Sequence, residues 1–260
     1  MSGNVFKNDE ISCISFGNGR KNFVIIPGLS IHGVMGLAEQ IVEAYQEFAA
    51  DYTVYVLDRP QVLRSEMTIR ELAENVASTM QQLGISDAYL FGASQGGMIA
   101  QYLAIDHPGT VNKLILGSTL SRPNDTAAAV VGKWIELASA HDETGLLESF
   151  VDTVYSSDTL AAYRDVLIES NRGITEEEYD RFVIIASACL DFNCYDELSS
   201  ITCPTFVIGS EGDRVVTADA SREIADALGC EVYIYPDTYG HGVYDEAPDY
   251  LDRCIEFLNK

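Results

Sequence analysis

Leu90-Phe91-Gly92-Ala93-Ser94-Gln95-Gly96-Gly97 carries more structural information than any other stretch of this chain. The apolar residues from Ala88 to Phe91 read as a short buried strand. After Gly97, the residues Met98, Ile99, Gln101, Tyr102, Leu103 and Ile105 fit a helix that ends at His107-Pro108. A strand that breaks into a helix through a serine with glycine two positions to either side reads as a nucleophile elbow. In so tight a turn, side chains at Gly92 and Gly96 would clash, and Gly97 adds slack. The turn lifts the Ser94 oxygen above the sheet edge at the positive end of a helix.

The segments on both sides alternate in type. Asn4–Lys7 and Ile11–Phe16 read as two short antiparallel strands joined at an Asn8-Asp9 turn. Phe23–Ile26 is a continuous apolar run, as in a strand buried on both faces, and it leads into the loop Pro27-Gly28-Leu29-Ser30. Leu37–Phe48 has helical spacing, and Thr53–Leu57 is the next strand. Thr68 and Glu71 form a capping box ahead of a helix that Gly84 stops. Lys113–Gly117 is a strand. Between about Ser121 and Ile201 the alternation gives way to helical runs at Ala127–Ala140, Gly145–Tyr155, Thr159–Ser170 and Glu176–Leu190. It resumes with strands at Thr205–Ile208 and Glu231–Tyr235 and helices at Ala218–Leu228 and Ala247–Leu258. The pattern predicts an α/β fold, a doubly wound, mostly parallel eight-stranded sheet with an inserted helical lid. Residues 1–120 and 201–260 form the core, and 121–200 the lid. Right-handed crossovers place the loops after the strands on one sheet edge, so Gly28-Leu29-Ser30 and Ser94 face the same crevice.

Composition narrows the partners. The 260 residues carry a formal net charge of -24, a field that repels phosphate backbones and anionic lipid. Nucleic acid and membrane surfaces are therefore not expected partners. None of the six cysteines forms a C-x-x-C, and most sit in apolar runs, which reads as reduced core thiols in a cytoplasmic protein. The first 20 residues hold no apolar secretory core, and no apolar run reaches the ~18 residues of a membrane span. No H-E-x-x-H or clustered Cys/His suggests a metal, and no phosphate-loop pattern is present. Oligomeric state is not readable from the chain.

A serine hydroxyl needs a base, and the base needs an orienting acid. Of the four histidines, His107 reads as a surface cap and His141 as a solvated lid residue, while His32 lies in the first loop. His241, in Tyr239-Gly240-His241-Gly242 after the last strand, is poorly explained by packing and is the candidate base. Gly209-Ser210-Glu211-Gly212-Asp213 follows the preceding strand and offers Asp213 as the acid, with Glu211 as competitor; Asp58 and Asp237 read as turn formers. The chain order Ser, Asp, His is that of this architecture. Oxyanion donors are expected from the backbone N–H groups of Gln95 and Leu29.

Together, Gly92-x-Ser94-x-Gly96-Gly97, Pro27-Gly28 after a strand, Gly209-x-x-Gly212-Asp213-Arg214-Val215-Val216, and Gly240-His241 before Glu246-x-Pro248 resemble the α/β-hydrolase superfamily. The likeness spans nearly all of the chain outside the insertion. Many members carry His-Gly where this chain has Pro27-Gly28. Members with an aspartate nucleophile are argued against by Ser94. The resemblance implies a carboxylesterase-like enzyme without metal or organic cofactor, acting on a small-molecule ester or related acyl substrate. Carbon–carbon bond hydrolysis, lactone or thioester hydrolysis, and a non-catalytic binding role are the alternatives. Ser30, Trp134, Phe150, Tyr155 and Phe192 are the expected pocket residues.

Overall fold

A computed structural model describes residues 3–7, 11–60 and 62–260. The strands are β1 (Asn4–Lys7), β2 (Ser12–Gly17), β3 (Lys21–Ile26), β4 (Tyr52–Asp58), β5 (Ala88–Ala93), β6 (Val111–Gly117), β7 (Thr205–Ser210) and β8 (Glu231–Tyr235). The helices are α1 (Ala38–Ala44), α2 (Ile69–Gln82), α3 (Gln95–Asp106), α4 (Asp125–Ser139), α5 (Glu143–Val154), α6 (Ser157–Glu169), α7 (Glu176–Leu190), α8 (Ala218–Leu228), α9 (Val243–Glu246) and α10 (Tyr250–Asn259).

One eight-stranded sheet runs β1-β2-β4-β3-β5-β6-β7-β8. β2 pairs antiparallel with β1 and β4, and every other pairing is parallel. The central strands are buried on both faces, which is why Phe23–Ile26 and Ala88–Phe91 read as apolar runs. Two cores result. One lies under α2, α3 and α8 and continues into α4–α7; the other lies under α1 and α10. Order reverses between β3 and β5, so the loops after these strands open on the crevice beside Ser94.

Local signals account for the boundaries. Thr68 accepts from Glu71 N–H while the Glu71 carboxylate takes the Thr68 N–H, the reciprocal cap expected from sequence. The four helices between β6 and β7 start within a few residues of the expected positions, capped by Asn124, Asp142, Ser156 and Thr175.

Three expectations need correction or limits. Leu37–Phe48 is not one helix: a 3-10 turn at Val34–Leu37, the short α1, and a second 3-10 turn at Gln46–Ala50 share that span. The last helix starts at Tyr250 and not at the expected Ala247, because Ala247 is extended ahead of Pro248; a separate short helix, α9, precedes it. The Asn8-Asp9 turn lies outside the described residues.

Candidate active site

The elbow forms as its glycines require. Ser94 has φ 52° and ψ −119°, a strained conformation for a residue with a side chain. A Cβ on Gly92 would lie 2.5 Å from the Gly96 carbonyl oxygen, and one on Gly96 would overlap that of Ile26. Gly97 does not supply slack: a Cβ there would stand 2.6 Å from Thr119 Cβ, so the helix passes tightly against the residues following β6. Thr119 uses that closeness and donates from Oγ1 to the Ser94 carbonyl at 2.8 Å.

Asp213, on the loop after β7, and His241, on the loop after β8, reach the same point. His241 Nδ1 lies 2.9 Å from Asp213 Oδ2, and His241 Nε2 lies 2.9 Å from Ser94 Oγ. With Nδ1–H donating to the carboxylate, Nε2 is left to accept the serine O–H. Both side chains are almost wholly buried. Burial alone would push the Asp213 carboxyl up. The His241 ring, together with the Val216 and Val215 N–H groups that donate to Oδ1, outweighs burial and holds it below the usual range. The competing Glu211 is exposed and pairs instead with Arg222.

Beside Ser94 a small cavity of about 30 Å3 runs beneath α4. Leu29, Gln95, Met98, Leu120 and Pro123 line it with Ala127, Ala128, Val131 and Trp134 of α4; Cys189, Leu190, Val215 and Val216 close it. A Cβ on Gly28 would be 3.3 Å from Ser94 Cβ, so the loop after β3 runs alongside the nucleophile candidate and brings Leu29 there. Gln95 is the first residue of α3, and N–H groups of a first turn have no acceptor within their helix.

The Gln95 side chain is anchored elsewhere. Arg59, at the end of β4 and almost wholly buried, donates to Gln95 Oε1 from Nε and Nη2. Gln95 Nε2 donates to the Ile185 carbonyl and lies 3.0 Å from Cys189 Sγ. Burial pushes the Cys189 thiol up to about 11, so it is a neutral wall residue. Asp58 Oδ1 sits between Arg59 and Arg181, 3.6 Å and 3.4 Å away. Sequence reasoning treated Asp58 as a turn former and passed over Arg59; an arginine directly after a buried strand was the available signal.

Of the expected pocket residues, Trp134 lines the cavity and four do not. Phe150 packs behind Trp134, with ring centroids 4.7 Å apart, and Phe192 packs edge-on to Tyr102. Both are spent on core contacts. Tyr155 lies against the His241 loop, where a Cβ on Gly242 would approach its ring at 3.2 Å. Ser30 lies one residue past the lining residue Leu29 and is itself outside the lining.

The corner between α5 and α6 is fastened to the loops bearing the acid and the base. Gly242 N–H donates to the Val154 carbonyl at 2.9 Å. Glu246 accepts from Ser156 N–H and Gly240 N–H. Arg214 donates to the Asp152 and Tyr155 carbonyls. His32 links the loop after β3 to α7, with Nδ1 2.7 Å from Glu178 and Nε2 3.0 Å from the Asn171 carbonyl. His107 caps α3 and meets Glu74, as expected at a surface. His141 is exposed but stacks on Tyr179.

The alpha/beta hydrolase fold family matches residues 21–248. This chain belongs to that family. Among its relatives, the 2-hydroxy-6-oxononadienedioate/2-hydroxy-6-oxononatrienedioate hydrolase of Klebsiella pneumoniae is 26% identical; the match covers 93% of this chain and 88% of the relative. The hydrolase fold is equally plain among solved structures. MGS-M2, an alpha/beta hydrolase from a Medee basin deep-sea metagenome library, superposes with a TM-score of 0.84 at 18% identity, covering 99% of this chain and 98% of that one. The enol-lactonase of Burkholderia xenovorans LB400 does so with a TM-score of 0.83 at 18% identity, covering 99% and 100%. Among the described residues of this hydrolase, no cluster of three or more His, Cys, Asp or Glu could hold a metal ion, and no helix is long and apolar enough to cross a membrane.

Proposed function

We propose that this hydrolase cleaves a small to medium ester through an acyl-enzyme on Ser94. The supporting observation is the continuous line Asp213–His241–Ser94, with both links at 2.9 Å. His241 takes the Ser94 proton as Oγ attacks the carbonyl, then gives it to the leaving alcohol. Asp213 fixes the tautomer and stabilises the imidazolium. The N–H groups of Gln95 and Leu29 bind the oxyanion, each worth roughly 10²–10³ in rate. Water activated by His241 then releases the acid. The helices α4–α7 act as the lid, and α4 supplies the wall for the acyl chain.

Ser94→Ala tests this directly. It is expected to lower hydrolysis of p-nitrophenyl esters by roughly 10⁶-fold. Unchanged activity, or no covalent labelling of Ser94 by a fluorophosphonate, overturns the reading. The apolar wall further predicts that kcat/KM rises about fourfold per added CH2 until the cavity is full.

The Klebsiella relative, named for the hydrolysis of an oxo-dienedioate, favours a second reading in which the same three residues cleave a carbon–carbon bond. A comparison of vinylogous diketone and ester substrates separates the two.

A further inference from the structure

The size and the walls of the cavity beside Ser94 limit what can occupy it. Its volume is about 30 Å3. One water needs about 10–15 Å3 on the same scale, so about two or three groups of that size fill it. Ser94 forms part of the lining, so a group bound there adjoins the bond under attack. Among the described residues, no charged side chain lines the cavity. The Gln95 amide is spent at both ends, on Arg59 and on Ile185, and burial keeps the Cys189 thiol neutral. The walls are also backed. Met98, Leu120, Val131, Trp134, Val215 and Val216 are all buried. Phe150 packs on Trp134 with ring centroids 4.7 Å apart, and Phe182 backs Phe150. Gln95 cannot turn aside without giving up its bonds to Arg59 and Ile185. An interior packed in this way does not take in an extra methylene without strain.

We propose that the cavity selects short, uncharged aliphatic acyl groups, of about two to four carbons with the carbonyl included. The proposal rests on the ester reading above and sets where the gain per added CH2 stops. Acetyl leaves part of the space empty, and propionyl or butyryl fills it. Each further CH2 pushes against walls that Phe150 and Arg59 hold in place. A carboxylate at the end of the chain would lose its hydration against a lining that offers it no cation.

The test uses the p-nitrophenyl esters of acetate, propionate, butyrate, hexanoate and octanoate on the full chain. kcat/KM is expected to peak at propionate or butyrate and to fall about tenfold or more by octanoate. An octanoate ester as good as the butyrate, or better, overturns the proposal. Acetates of ethanol, butanol and octanol, followed by pH-stat, are expected to show no such fall; a length limit on the alcohol side in place of the acyl side also overturns it. By the same method, monomethyl succinate is expected to react roughly a hundredfold more slowly than methyl butyrate, and parity overturns the proposal. Two variants tie the limit to this cavity. Val131→Ala removes bulk from the α4 wall, and Leu190→Ala does so at a half-buried position where folding is less at risk. At least one is expected to carry the optimum about one or two carbons longer. An optimum unmoved in both folded variants overturns the assignment. The two readings fail separately: hydrolysis that survives Ser94→Ala removes the acyl-enzyme, whereas a flat length profile with Ser94 labelled by a fluorophosphonate removes only the length limit.

Discussion

Arg59 holds Gln95 by two N–H groups converging on one oxygen, Nε at 3.0 Å and Nη2 at 2.6 Å. The guanidinium reaches from the end of β4 to the first turn of α3, one residue from Ser94. Lysine cannot reproduce a two-point grip. Arg59→Lys is therefore expected to cost about 2 kcal/mol, a Tm lower by roughly 4–8 °C, and several-fold in kcat with little change in KM. Calorimetry and steady-state kinetics on the purified variant check both.

Gly96 has no room for a methyl group, because the Ile26 carbonyl occupies the position. Gly96→Ala forces β3 away from the elbow. The expected result is a loss of about 4 kcal/mol or more, read by urea unfolding, with no measurable esterase activity. Gly36→Ala is the control, since nothing lies within 4 Å of its Cβ position.

Asp213→Asn removes the charge that fixes the His241 tautomer. A fall of about 10⁴ in kcat is expected, with the fold retained. The Asp213 carboxyl titrates below its ordinary value in the folded protein. Its stabilising contribution is therefore present above the unfolded value near 4 and is lost as pH falls through the folded one. Between about pH 5 and 2, the stability of Asp213→Asn is expected to decline less steeply than that of the native chain.

His32 offers the opposite sign. Burial lowers its pKa, but the Glu178 carboxylate and the Asn171 carbonyl outweigh burial and raise it above the usual histidine value. The stability that it adds is complete below about pH 6.5 and disappears as pH rises through the folded value. Hydrogen exchange at the turn between α6 and α7 is expected to quicken above neutrality in the native protein. His32→Ala should exchange at a rate independent of pH, after correction for intrinsic chemistry.

What the sequence disclosed was local. The elbow could be read because Gly92, Ser94 and Gly96 lie within five residues, and the Thr68–Glu71 cap because its two partners share one turn. Ser94, Asp213 and His241 were traceable because parallel topology sends every strand-end loop to one edge. The cavity wall resisted reading for the converse reason. Aromatic bulk pointed to Phe150 and Phe192, yet both are used up by the cores behind the cavity. The true wall is the stripe Ala127, Val131, Trp134, spaced by four and three along α4. That spacing shows a helix face but not what the face meets. Arg59 escaped notice because a lone arginine in a turn becomes significant only once it is seen to be buried.

The fastening of the α5–α6 corner to the Asp213 and His241 loops determines where traffic can pass. Any outward swing of that corner would pull on the loops that hold Asp213 and His241 in line with Ser94. Pro123, Ala127, Leu190 and Val216 line the cavity and take no part in that fastening. Widening the cavity of this hydrolase therefore begins at those four positions, and the pinned corner is the part to leave alone.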